Sequence, residues 1–138
     1  MEIKQYSTLP EESKKLRAKV FLDEQGFSAE FDEIDDIAVH MVLYIDNKAA
    51  AVCRVFYDEN KQSYMIGRVA VEKEYRSQHL GAKIMQAAES YIKQVGGTSA
   101  KLSAQCRMSG FYKKLGYNPI GEEYLDEFCP HIMMFKEL

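Results

Sequence analysis

Between Val39 and Val71 the chain runs as three β-rich stretches, Val39–Ile45, Ala49–Tyr57 and Tyr64–Val71, separated by two short polar turns. The turns, Asp46-Asn47-Lys48 and Asp58-Glu59-Asn60-Lys61, are of the residue types that close hairpins. The third stretch then passes through VEKEYRSQHLG into a segment with Leu80, Ile84, Ala88, Tyr91, Ile92 and Val95 on one face of a helix. Gly96-Gly97 ends that helix, and the alternating run Ala100–Gln105 reads as the next strand. A strand, a crossover helix and a strand must return in parallel with a right-handed connection, whereas hairpins are antiparallel. The junction therefore predicts an α+β fold: a mixed, mostly antiparallel sheet of about six to seven strands, with helices on both faces and one parallel pair.

The flanks complete this outline. Glu2–Tyr6 is a short strand. Pro10, with Ser7 or Thr8 as a cap, starts a helix that carries Leu16, Val20 and Phe21 inward and stops at Gly26. Residues 27–37 are acidic without a clear period and read as a loop or short helical turn. Met108–Leu115 forms a short helix closed by Gly116, and Tyr117–Glu123 and His131–Lys136 are the last strands. No repeat or linker interrupts residues 1–138, which fit one domain. A net charge of -3 supplies no basic field for nucleic acid, and no apolar run reaches membrane length, so neither partner is expected. The N-terminus lacks the pattern of a signal peptide, and a cytoplasmic location is the expectation. Three cysteines, Cys53, Cys106 and Cys129, are too dispersed for a metal pair or a disulfide framework, and no metal is expected.

Two segments carry the chemistry. A helix start has unpaired N–H groups and a positive dipole end, so a helix beginning beyond a strand end can hold an anion. Here Ser77 is placed to cap, Arg76 to add charge and Gly81 to allow close backbone approach. Neither GxxxxGK[ST] nor GxGxxG is present, which removes the nucleotide-binding P-loop and the dinucleotide fingerprint. In the second segment, QCRMSGFYKKLGY, Phe111 and Leu115 share a core face and Tyr112 points elsewhere, towards a rim or crevice.

Val69-Ala70-Val71-x-x-x-Tyr75-Arg76-Ser77-Gln78-His79-Leu80-Gly81, followed by Phe111-Tyr112-Lys113-Lys114-Leu115-Gly116-Tyr117, resembles the paired signatures of the GNAT superfamily of acyl-CoA-dependent N-acyltransferases. Arg17-x-x-Val20-Phe21-x-x-Glu24-Gln25-Gly26, the spacing Glu30-x-Asp32-Glu33-x-Asp35 and Cys129-Pro130-His131-Ile132 extend the likeness to a small bacterial subgroup. The resemblance implies acetyl-CoA as acyl donor, its pyrophosphate on the backbone of Arg76, Ser77, Gln78, His79, Leu80, Gly81 and Ala82. The pantetheine arm would run beside Val69, Ala70 and Val71, with Gln105, Phe111 and Lys114 also on the cofactor side. Tyr112 matches the family tyrosine that protonates the departing thiolate.

The implied reaction is transfer of acetyl to a primary amine by direct attack in a ternary complex. Positioning supplies much of the rate, and a side chain can take the amine proton. Glu24, Glu30, Asp32, Glu33, Asp35, His40 and His131 are the candidates, and Glu33 is assigned the role beside Tyr112. Arg17, inside an apolar pattern, is expected to pair with one of these carboxylates. The sequence departs from the family signature at Lys73, where proline is usual, and at Ser77 and His79, where glycine is usual. A non-catalytic CoA-binding sensor or interaction domain on the same fold is the alternative. The acceptor is a small-molecule or protein amine, and the resemblance implies pairing into homodimers through sheet edges or the final strands.

Overall fold

The computed structural model describes residues 1–138. Strand β1 (Glu2–Tyr6) leads to helix α1 (Glu11–Arg17), which continues without a break as a π-helical segment, Ala18–Glu24. Strands β2 (Val39–Ile45), β3 (Lys48–Asp58) and β4 (Ser63–Val71) follow, then helix α2 (Leu80–Gln94) and strand β5 (Ser99–Gln105). A short helix α3 (Ser109–Lys114) precedes the closing hairpin of β6 (Asn118–Asp126) and β7 (Cys129–Glu137). The seven strands form one sheet in the order β1-β2-β3-β4-β5-β7-β6, antiparallel everywhere except between β4 and β5.

Period-2 alternation sends neighbouring residues of β2 to opposite faces. Met41 and Leu43 join Ile84, Met85, Ala88 and Ile92 of α2 in the larger core. Val42 joins Leu16, Val20 and Phe21 of α1 and its extension in the smaller one. The helices thus cover both faces, as expected. Val95, expected on the buried face, is instead 46% exposed because the helix has ended. The hairpin turn after β2 has Asp46 and Asn47 both at positive φ, the geometry that Asp-Asn favours.

Two irregularities shape the fold around the middle of the sheet. Opposite β3, Val52 pairs with Ala70 but Arg54 pairs with Gly67, so β4 carries a bulge. Arg68, at φ 52°, sits in the left-handed region at that bulge. The parallel pairing of β4 with β5 is confined to Tyr64 with Ala100 and Met65 with Lys101. Beyond Met65 the two strands part, and the β5-facing edge of β4 has no strand partner there. The second irregularity is the π-winding of residues 18–24, which the spacing of Leu16, Val20 and Phe21 does not foretell, because both windings keep these residues on one face.

Candidate functional site

A crevice of about 520 Å³ opens where β4 and β5 part, a volume in the usual range for small-molecule sites. One wall is Ile66–Val71 of the bulged strand, another is Leu102, Ser103 and Gln105 of β5. Val20 and Phe21 of the π-segment with Phe27 and Glu30 close one side, and α3 contributes Phe111 and Tyr112. Arg76, Ser77, His79, Leu80 and Gly81 line the end formed by the start of α2.

At that end, Ser77 (φ 70°) and His79 (φ 61°) are both left-handed. A turn that alternates left-handed residues in this way is where glycine serves best, since it has no Cβ to crowd the following carbonyl. His79 is the N-cap of α2, and no side chain caps the helix, Ser77 included. The first intrahelical bond runs from Lys83 N–H to the His79 carbonyl at 3.2 Å. The amides of Leu80, Gly81 and Ala82 therefore keep the free donors that a helix start presents. Gly81 has a different task from the one its sequence position suggested. A Cβ there would meet Cζ of Phe111 at 3.1 Å, so the glycine admits an aromatic ring that walls the crevice.

Arg76 is not a free cation for an anion. Its guanidinium binds both oxygens of Glu24 at 2.9 and 3.0 Å, and its Nε donates to the Val71 carbonyl at 3.1 Å. It braces the turn against β4 and the π-segment. Val69, Ala70, Val71, Leu80, Gln105 and Phe111 all line the crevice. Gln78 and Lys114 do not line it, and Ala82 faces a smaller neighbouring hollow. Gln105 reaches across to Gln25 at 2.7 Å and accepts from Arg107 at 2.9 Å, a polar chain joining the two walls.

Tyr112 enters the crevice between the rings of Phe111 and Tyr117, at centroid distances of 4.9 and 6.2 Å, both edge to face. Burial pushes its phenol well above the ordinary tyrosine range, with Cys53 a lesser cause. The hydroxyl makes no hydrogen bond within the protein. Ser13 Oγ and Arg54 Nε are the fully buried side-chain polar atoms without a partner, so the phenol oxygen is open to the crevice rather than sealed. A protonated phenol facing a cleft can give its proton to a developing anion.

The acidic stretch after Gly26 is neither a solvated loop nor a free anionic surface. Arg17 binds Glu30 at 2.8 Å and Asp35 at 2.8 Å. Arg54 binds Asp32 at 2.6 Å and Asp35 at 3.0 Å, and Arg68 binds Glu30 at 3.0 Å and Asp32 at 3.4 Å. Three guanidinium groups and three carboxylates balance in a network whose centre, Arg17, Glu30, Asp35 and Arg54, is buried and whose edge, Asp32 and Arg68, reaches solvent, with Arg17 paired as expected. Burial pushes Glu30 up, against the pull of Arg68 and Arg17. For Asp35 the hydrogen bonds and charges of Arg17 and Arg54 overcome burial and hold the carboxyl at about 2.

Glu33 does not belong to the site. It lies exposed on the turn Glu33–Asp36, outside the crevice, because the capping box of that turn uses Asp32 and Asp35 and leaves Glu33 pointing to solvent. His40 is buried and donates from Nε2 to the Asp35 carbonyl at 2.9 Å, a structural histidine whose protonation burial disfavours. Cys106 gives its thiol to Glu123 at 3.1 Å, and that bond raises its pKa, so it is a protonated thiol outside the crevice. His131, another of the candidate bases, does line the crevice.

Comparison with known proteins agrees with this geometry. The model of the acetyltransferase (GNAT) domain matches residues 7–138. The chain is 34% identical to the uncharacterised protein YyaT of Bacillus subtilis, over 100% of this chain and 97% of that protein. In structure it is similar to an acyl-CoA N-acyltransferase from Pseudomonas aeruginosa, with TM-score 0.84, 25% identity and 98% of each chain covered. A likeness of fold alone, with TM-score 0.78 and 14% identity over 99% of this chain and 97% of the other, extends to aminoglycoside 6′-N-acetyltransferase complexed with coenzyme A.

Proposed function

Since the chain belongs to the GNAT acetyltransferase family, we propose that it transfers acetyl from acetyl-CoA to a primary amine by direct attack in a ternary complex. The observation that carries this reading is the phenol of Tyr112, raised by burial and unpartnered, facing the gap between β4 and β5. A long, thin donor would lie along the unpaired edge of Ile66–Val71, where backbone groups lack a strand partner. Its phosphates would meet the free amides of Leu80, Gly81 and Ala82 at the start of α2. The fold likeness to a protein that holds coenzyme A supports the same placement.

The chemistry follows from these positions. The amine nitrogen attacks the thioester carbon, a C–N bond forms and the C–S bond breaks. The leaving thiolate takes the proton of Tyr112, and the phenolate recovers one from the nitrogen through solvent. Holding the two reactants together removes much of the entropic barrier. The apolar lining of Val20, Phe21, Phe27 and Phe111 lowers the local dielectric and strengthens each polar contact.

An acetyl-CoA assay across a panel of primary amines, read by thiol release, tests the reading. Amine-dependent release is expected from the wild-type protein, and release no faster than hydrolysis across the panel would remove it. In Tyr112→Phe, turnover should fall by about 10²-fold while acetyl-CoA affinity holds within a few-fold. Equal turnover in the two proteins would take Tyr112 out of the mechanism.

A further inference from the structure

We propose that His131 is the base of this reaction, its Nε2 taking a proton from the acceptor ammonium. The inference rests on the acyl-transfer reading above and assigns the one proton that reading leaves without a destination. The other candidates are occupied or misplaced. Glu24 is held by Arg76, Glu30 by Arg17 and Arg68, and Asp32 and Asp35 by their own arginines. His40 bonds the Asp35 carbonyl, and Glu33 lies outside the crevice.

His131 stands where the sheet delivers it to the cleft. Its backbone pairs with Gln105 at the end of β5 and with Tyr124 of β6. The ring packs near-parallel to Tyr124 at 6.1 Å and presents an edge to Phe27 at 6.3 Å, which fixes its plane. Its Nδ1 is 2.9 Å from the Cys129 carbonyl. A carbonyl only accepts, so Nδ1 carries the proton, and in the neutral ring Nε2 keeps its lone pair. That second nitrogen bonds no protein group. The residue is only 6% exposed and lines the crevice, and its unpartnered Nε2 is not sealed, so part of that exposure belongs to this nitrogen. Tyr112 opens its hydroxyl into the same space from α3. An acid and a base with free working atoms thus line one cleft.

The proton count closes. The ammonium gives one proton to Nε2, making an imidazolium with two N–H groups, and the neutral amine attacks. Tyr112 protonates the thiolate and is restored by the second nitrogen proton. His131 then releases its proton to solvent, one per turnover. The charged and titratable groups around His131 are Tyr124 and Asp126 of β6, Glu30 and Arg68 across the crevice, and Arg107 beyond β5.

The test is His131→Asn, which keeps an N–H near the Cys129 carbonyl and deletes the lone pair. With an amine that the wild-type protein acetylates, kcat/KM at pH 7 should fall about 10²-fold and recover as pH approaches the amine's own pKa. Acetyl-CoA affinity and Tm should stay near wild type. In the wild-type protein the acidic limb of the pH profile should coincide with the titration of the His131 ring followed by NMR, a measurement that stands even if the variant fails to fold. A limb that does not follow the ring, or a variant with an unchanged profile, overturns the assignment and leaves the acyl-transfer reading intact. A wild-type protein inactive on every amine overturns both.

Discussion

His79 occupies a left-handed position, φ 61°, that a glycine would hold without strain. Histidine is among the side chains that tolerate this region, whereas a β-branched residue does not. The substitution His79→Val should therefore lower stability by about 1–2 kcal/mol, and His79→Gly should not lower it at all. Thermal unfolding of the two variants decides this, and a valine variant as stable as wild type would mean that the turn relaxes freely. Two other residues change meaning once the structure is known. Arg76 supplies a brace rather than a charge, because Glu24 neutralises it. The missing side chain of Gly81 makes room for the Phe111 ring. In both cases the residue type was evident from the sequence but its partner, more than twenty residues away, was not.

At the level of elements, the bulge in β4 and the short parallel pairing with β5 create the cleft. The crossover helix α2 holds that opening from behind, and its end is tightly fitted. A Cβ on Gly97 would lie 2.4 Å from Ile92 Cγ2, 2.8 Å from the Tyr64 ring and 3.0 Å from the Ile92 carbonyl. Since one of these neighbours is backbone, Gly97→Ala should cost roughly 1–3 kcal/mol, in the range of overpacking. Chemical denaturation should show the loss, and a neutral result would argue that the α2–β5 turn is soft. At the other end of the cleft, Glu127 accepts bonds from Ser28 N–H at 2.9 Å, Ser28 hydroxyl at 2.8 Å and Ala29 N–H at 3.1 Å. Phe27 stacks on Phe128 at 5.1 Å beside them. The β6–β7 turn is thereby tied to the loop that walls the crevice and packs on His131.

Across the whole molecule, the arginine–carboxylate network joins α1, the 30–36 turn, β3 and β4. Asp35 is held at about 2, below its ordinary 3.8, so its contribution is present above about pH 4 and lost as pH falls towards 2. The depression corresponds to roughly 2 kcal/mol. Glu30, raised by burial, works in the opposite sense and relieves part of the loss on protonation. The urea midpoint should drop between pH 4 and pH 2, and a flat midpoint there would show that the network contributes little through Asp35. The β-rich runs and the α2 face were legible in the sequence because local periodicity and turn chemistry dictate them, and the two signature segments were legible through their resemblance to a known family. They determined the α+β class and the parallel pair, and they pointed to the strand, helix start and tyrosine that line the crevice. Which carboxylates are engaged, which histidine is free and which cation is neutralised were decided only by tertiary structure. Those properties depend on contacts such as Arg76 with Glu24 and Arg54 with Asp32, between residues remote in the chain, and a one-dimensional pattern carries no record of such distances.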